Sequence, residues 1–372
     1  MLLGGSVGVA FGWALQRGRF CVNSAFRDAV LIRDGTLLST WALAVVVQML
    51  GLQALLGLTG LFEPDVPPLW PAANALGGFA FGVGMVLAGG CASGTCYRVG
   101  EGMLGSLLAL LGFGLMTVVV DAGPLRPLQD ALRTPLLTGT EQAATLPALL
   151  GAPAWAVGLG LGLPLLGALL WQAARSRGRA PYQRGWPWLL TGLVLGLIGL
   201  LAWVSSAAAG RAYGLSITGP IRSWFLYLTT GDPGLLDWGS WMLLGLIGGA
   251  FLAARLSGEA KLRLPPPART LQALGGGLLM GFGAQLAGGC NIGHGFTGLA
   301  VLSLGSLLTT AAIVLGAWTA SALLFGGVGE RLRALRGRFR APEPEGAARV
   351  PVQPTQVPME IQTQTTTPKE GS

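Results

Sequence analysis

Apolar residues in this chain come in long blocks and not in alternation with polar ones. Runs that could enter a bilayer lie at about 2–16, 37–60, 74–90, 102–121, 153–173, 186–208, 235–256, 271–289 and 299–325, where a helical span needs about 20 apolar residues. The pattern predicts an all-α polytopic membrane protein with about nine transmembrane helices. The first run and those ending just before Cys91 and Cys290 are short or rich in glycine. Non-helical backbone where such segments break off at membrane depth must be buried in protein or line a polar cavity.

Composition supports lipid as the solvent. Of 372 residues 52% are hydrophobic and only 11% charged, whereas a soluble domain carries about 25% charged residues. Net charge is +8, which in such a chain marks basic cytoplasmic loops, and no basic patch interleaved with aromatics points to nucleic acid. Three basic segments follow the fifth, seventh and ninth runs: Arg175 to Arg184, Lys261 to Arg269, and Arg331 to Arg340. Nine spans with the N-terminus outside place all three, and the C-terminus, in the cytoplasm. Arg126 and Arg133 then fall outside as a mild exception. The first run lacks a positive leading segment and a small-residue cleavage site, so it reads as a span and not as a cleaved signal. Residues 341–372, rich in Pro, Thr and Gln, read as a disordered cytoplasmic tail.

The chain repeats itself. Leu87-Ala-Gly-Gly-Cys91 returns as Leu286-Ala-Gly-Gly-Cys290, Gly77-Gly78 as Gly276-Gly277, Gly94 as Gly293, and Gly105-Ser-Leu-Leu108 as Gly305-Ser-Leu-Leu308. The offset stays at about 200 residues throughout. A weaker match sets Cys21–Arg27 against Ser216–Arg222, with Ser216 in the place of Cys21. Four spans, one linking span and four spans give an inverted repeat, whose site belongs at the repeat interface near the midplane. A transporter domain of 1–330 follows, with repeat one at about 1–121, the linking span at 153–173 and repeat two at about 186–325. The loops at Cys91 and Cys290 should approach from opposite sides, with Cys21 toward the cytoplasm and Cys91 between the other two.

These loops carry the candidate chemistry. Gly89-Gly90 and Gly288-Gly289 let backbones approach and end the helix, and Gly94 and Gly293 follow in the small polar loops. The backbone N–H groups freed around Ala92–Thr95 and Asn291–Gly295 favour an anion. Arg27, Arg98 and Arg222 lie beside these motifs, and arginine is costly in lipid without a role or partner; Glu101 is a candidate partner for Arg98. A thiol buried in apolar surroundings keeps its proton and is a weak, polarizable S–H donor. Cys21, Cys91 and Cys290 therefore suit a soft, sulfur-bearing anion better than phosphate, and hold it loosely enough to release it. His294, the only histidine, is placed to help by hydrogen bond or proton. Asn23 and Asn291 would donate to an anion or cap a helix. Cys96 has no counterpart, since Gly295 takes its place. Cys91 and Cys96 make a poor zinc signature, and neither a metal nor another cofactor is expected.

Gly-Arg-Phe-Cys21, Leu-Ala-Gly-Gly-Cys91 with Tyr97-Arg-Val-Gly-Glu-Gly102, and Ala-Gly-Gly-Cys290-Asn-Ile-Gly-His294 with Thr297-Gly298 resemble the YeeE/YedE family. The resemblance covers nearly all the chain to about residue 330. It implies a bacterial inner-membrane protein of nine spans plus short re-entrant helices that takes up thiosulfate, with Cys21, Cys91 and Cys290 as a string of hydrogen-bond donors. It also implies a TusA-like sulfur carrier as a cytoplasmic partner of some members and selenium metabolism for others. Two rival classes remain beside transport by neutral thiols. One is a membrane thiol enzyme or persulfide relay, for which Cys91 and Cys96 are the nearest pair in sequence. The other is a metal transporter, which a single histidine and few intramembrane carboxylates disfavour.

Overall fold

The structure, a computed structural model, describes residues 1–66, 69–133, 144–175 and 185–325. The expected tail at 341–372 and the basic residues Arg177, Arg179, Arg184 and Arg331 to Arg340 lie outside the described residues. Met1–Gly329 forms one unit. Its helices in order are α1 (Leu2–Arg17), α2 (Val22–Leu31), α3 (Thr36–Thr59), α4 (Pro71–Leu87), α5 (Ala92–Gly100), α6 (Leu104–Asp121), α7 (Arg126–Leu132), α8 (Leu146–Leu150), α9 (Ala154–Arg175), α10 (Trp188–Ala207), α11 (Thr218–Thr230), α12 (Trp238–Leu256), α13 (Pro267–Ala287) and α14 (Leu304–Phe325). A π-helical turn covers Gly293–Gly298. Among the described residues β-structure is confined to isolated bridges, Met103 with Arg263 and Thr145 with Ser303.

The nine apolar runs correspond to the nine helices of 16 to 24 residues among those described. Seven of these, α4 counted with its continuation through α5, are long and apolar enough to cross a membrane. The protein is thus a multi-pass membrane protein. The two helices outside that set differ for physical reasons. At 16 residues α1 covers only about 24 Å of a core about 30 Å thick. The sequence of α13 is diluted by Arg269, Gln272, Gln285 and five glycines. The short α2, α5 and α11 each follow a span and begin at or beside a thiol or hydroxyl residue, as expected of re-entrant pieces.

The packing exchanges the two halves. α1 lies on α12 as α10 lies on α3; α4 lies on α14 as α13 lies on α6; α5 meets α6 and α12 as the π-turn meets α14 and α3; α2 meets α3 and α14 as α11 meets α12 and α6. The two self-matched contacts, α4 with α13 and α1 with α10, complete the set. Glycines give the directions. Gly77 abuts Gly283 and Ala287, while Gly84 abuts Gly276 and Met280, so α4 and α13 run antiparallel. Gly18, just past α1, abuts Thr191 near the start of α10, so these equivalents also run antiparallel. Equivalent helices of opposite direction are what an inverted repeat requires. α9 stands outside the exchange; it packs on α3 and leaves most of its surface to lipid.

Close approach replaces a hydrophobic gradient as the source of packing, because lipid is as apolar as leucine. A Cβ on Gly78 would sit 2.7 Å from the Thr309 carbonyl oxygen on α14. A Cβ on its equivalent, Gly277, would overlap the Ala109 carbonyl oxygen on α6.

Candidate functional site

α4 and α13 stop inside the apolar part of the protein. A helix end leaves carbonyls without intrahelical donors, and at membrane depth each needs another donor. Left-handed glycines turn the chain away, Gly89 at φ +72° and Gly288 at φ +87°, a region closed to most side chains. Polar side chains then meet the carbonyls. Gln272 of α13 donates to Leu87 O of α4 at 3.2 Å, and Asn74 of α4 donates to Ala287 O of α13 at 3.1 Å. Arg98 donates to Gly89 O. Arg133 donates to Leu286 O at 3.1 Å and to Gln285 O, with its guanidinium over the Trp70 ring.

The first loop gathers the thiols. Cys21 and Cys91 are the N-cap residues of α2 and α5, and both are buried. Their sulfurs lie 3.6 Å apart. Cys91 Sγ accepts the Gly94 N–H at 3.3 Å and lies 3.5 Å from Ser93 Oγ. Gly94 has no alternative here, since a Cβ would sit 2.6 Å from Cys21 Sγ. The Arg98 guanidinium is within electrostatic range of both thiols, and Gly90 leaves room for it, because a Cβ there would meet Arg98 at 2.9 Å. Among the described residues, Thr95 Oγ1 and Asn23 Oδ1 are buried without a hydrogen-bond partner. Neither Asn23 nor Asn291 caps a helix; cysteines hold the cap positions of α2 and α5.

The second loop is built on the same plan with other groups. Cys290 is buried, with Tyr213 and Cys96 in electrostatic range. His294 Nδ1 lies 2.9 Å from Ser306 Oγ and Nε2 lies 3.2 Å from Ala287 O. A carbonyl only accepts, so Nε2 carries the proton and Nδ1 accepts the serine hydroxyl. Gly289 leaves space for the ring, which a Cβ would meet at 3.1 Å. Tyr213 donates to Gly293 O at 3.1 Å, and Thr297 to Leu215 O at 2.6 Å. Both ends of the Asn291 amide are buried without a partner. The loops meet where Phe20 packs edge-on against Phe296, centroids 6.2 Å apart.

The structure thus brings Cys21, Cys91, Gly94 and Arg98 together, and gathers Cys290, Asn291, Gly293 and His294 in the facing loop. Arg27 and Arg222 are held elsewhere. Arg27 forks onto Asp28 at 2.7 and 2.8 Å, and Arg222 pairs with Asp121 at 3.0 Å. The other Asp121 oxygen accepts Gln285 at 2.8 Å, tying α11, α6 and α13 together. The expected Arg98–Glu101 pair is replaced. Glu101 accepts from Gln16 at 3.4 Å, because Gln16 bridges it to Glu259, which also binds Arg19 at 2.5 Å. Arg133, Trp70 and Tyr213 were not among the residues picked out by sequence. Only Arg133 left a trace there, as a cation on the wrong side for the charge rule. Among the described residues no three of His, Cys, Asp and Glu gather to hold a metal ion.

The family profile described as sulphur transport matches residues 17–319, which include both glycine–cysteine loops. The chain belongs to the sulphur-transport family. The thiosulfate transporter TsuA of Spirochaeta thermophila is 39% identical to it over 331 residues, 86% of this chain and 97% of the relative. The thiosulfate transporter TsuA of Escherichia coli K12 is 35% identical over 335 residues, 87% of this chain and 95% of the relative. The residues around the two glycine–cysteine loops divide into those that meet one another and those whose donors are uncommitted among the described residues. His294 belongs to the first group. His294→Ala removes two buried hydrogen bonds and should destabilise the protein by about 2–4 kcal/mol, read as a lower melting temperature in detergent. An unchanged melting temperature would contradict its holding role.

Proposed function

We propose that this protein takes up thiosulfate, or a closely related inorganic sulfur compound, across a bacterial inner membrane, with its N-terminus outside and its C-terminus cytoplasmic. The transport unit runs over 1–330, with repeats at about 1–121 and 186–325 joined by the span at 153–173. The anion passes Cys290, then Cys91, then Cys21. The observation that carries this reading is the pair of buried thiol loops set on antiparallel halves of a membrane protein, with Arg98 beside the inner thiols. Neutral S–H groups give an anion weak, polarizable donors in place of water, and their weakness permits release. Asn23 and Asn291 supply further donors. Arg98 supplies positive charge, while Arg27 and Arg222 hold the flanking helices. His294 shapes the outer loop, and the substrate touches the amide and thiol beside it. The relatives named above, both thiosulfate transporters, support the choice of anion. A TusA-like carrier on the cytoplasmic side would consume what arrives. Labelled thiosulfate uptake into vesicles, with sulfate and sulfite as competitors, tests the reading; vesicles that take up none refute it.

One observation favours a second reading. The Cys21 and Cys91 sulfurs at 3.6 Å are near enough that a modest shift would reach the disulfide length of about 2.05 Å. The pair suited to a redox or persulfide relay is thus Cys21 with Cys91, and not Cys91 with Cys96. Serine separates the readings, because a hydroxyl still donates a hydrogen bond but carries no sulfur chemistry. With neutral thiols as donors, Cys91→Ser keeps roughly a tenth or more of wild-type uptake; complete loss in Cys91→Ser and Cys21→Ser alike would favour the relay.

A further inference from the structure

Building on the transport reading, we infer that Ser216 contacts the substrate and sets specificity, forming with Cys290 and Asn291 an outer site that offers hydroxyl, amide and thiol to a sulfur oxyanion.

The first support is position. Gly94 and Gly293 are equivalent glycines of the two repeats. The space a side chain of Gly94 would take is occupied by Cys21 Sγ, and the corresponding direction from Gly293 leads to Tyr213 OH at 3.4 Å and Ser216 Oγ at 3.8 Å. Ser216 precedes α11 much as Cys21 precedes α2. The second repeat therefore presents an oxygen donor where the first presents a thiol.

The second support is which groups are already engaged. Around this loop Tyr213 donates to Gly293 O, Thr297 donates to Leu215 O, and both ring nitrogens of His294 have partners. The Asn291 amide has none at either end, and the Ser216 hydroxyl makes no hydrogen bond among the described residues. Both residues are buried, Ser216 with 7% and Asn291 with 2% of its surface exposed. A buried amide without a partner, as at Asn291, is rare and calls for a reason.

The third support is rigidity. Arg211 holds the strip that carries Ser216: one nitrogen donates to Ser206 Oγ, Tyr213 O and Gly214 O at 3.0–3.1 Å, and another faces Asp237 at 3.6 Å. Thr297 fixes the adjoining Leu215 carbonyl. A hydroxyl held in this way donates without first losing freedom, which is the condition for a useful recognition group.

The chemistry follows from the two ends of the ion. A sulfur oxyanion with a terminal sulfur has one soft end and several hard oxygens. The inner pair, Cys21 and Cys91, offers two soft donors. The outer site offers one soft donor and two hard ones, so it can hold the oxygens at Ser216 and Asn291 while the terminal sulfur faces Cys290.

Uptake of labelled thiosulfate by proteoliposomes carrying wild-type, Ser216→Ala or Ser216→Cys protein tests this. Ser216→Ala should raise KM about ten-fold, the usual cost of one hydrogen bond to a charged group, with Vmax within about two-fold of wild type. Ser216→Cys should restore most of the thiosulfate KM and weaken inhibition by sulfate, which has oxygens only. A KM for Ser216→Ala within about two-fold of wild type, or no rescue by cysteine, overturns the inference and leaves the transport reading intact. If wild-type vesicles fail to take up thiosulfate, the transport reading falls. The rise in Tm that thiosulfate gives the purified proteins then decides Ser216, and equal rises in wild type and Ser216→Ala overturn it.

Discussion

On the proposed transport reading, Cys91→Ala and Cys290→Ala should each reduce thiosulfate uptake by about 100-fold or more, while the protein inserts and folds as before. Each thiol is buried where water does not reach, so a methyl group in its place offers the anion nothing. Stripping a charge of its hydration without a substitute costs several kcal/mol, and each 1.4 kcal/mol is about ten-fold in occupancy or rate. The fold loses much less, since alanine fills most of the volume of a small, weakly bonded side chain. At Cys91 the weak cap to Gly94 N–H is lost as well, a few tenths of a kcal/mol to about 1 kcal/mol. Uptake and melting temperature measured on the same preparations separate these effects. Normal uptake in both variants would end the case for a thiol-lined path.

Gly277→Val, by contrast, should prevent folding. Its Cβ would overlap the Ala109 carbonyl oxygen of α6, and backbone cannot swing aside as a side chain can. Forcing α13 off α6 also disturbs the α4–α13 crossing beside it. The cost should exceed about 4 kcal/mol, the range reserved for severe core overpacking, and little monodisperse protein should be recovered by size exclusion in detergent. Gly275→Val is the control: nothing lies within 4 Å of a Cβ there, so recovery should stay near wild type. Recovery of both at similar yield would show that the crossing tolerates separation.

The repeat was legible because glycine spacing is a direct imprint of helix crossings. Gly77, Gly78, Gly82 and Gly84 recur as Gly276, Gly277, Gly281 and Gly283, and in space each set faces the backbone of equivalent helices. The cysteine loops were legible for the same reason, since a break after glycine marks where a helix stops. What stayed hidden depends on distance in sequence or on demands that only the folded chain creates. The contact of Cys21 with Cys91 joins residues far apart in the chain. Arg98 was expected to meet Glu101, three residues on, yet it reaches back to Gly89 O, a carbonyl that the end of α4 leaves without an intrahelical donor, while Glu101 accepts from Gln16. Arg133 makes the corresponding contact on α13 from a segment that sequence marks only as an exception. The role of His294 turned on its two partners: Ser306 lies outside its own motif, and Ala287, at the start of that motif, meets the ring only in the folded loop.

Arg98 and Arg133 have a consequence for the field at the two loops. α4 and α13 both aim their C-terminal ends at the middle of the protein, and a C-terminal end carries about half a negative charge. An anion brought there meets two repulsive poles that the start of α5 offsets only in part. A guanidinium set on each end, at Gly89 O and at Gln285 and Leu286 O, offsets that pole. On this account the two arginines act by cancelling the helix poles, and a lysine that kept the charge but lost the forked contact would leave part of that repulsion in place.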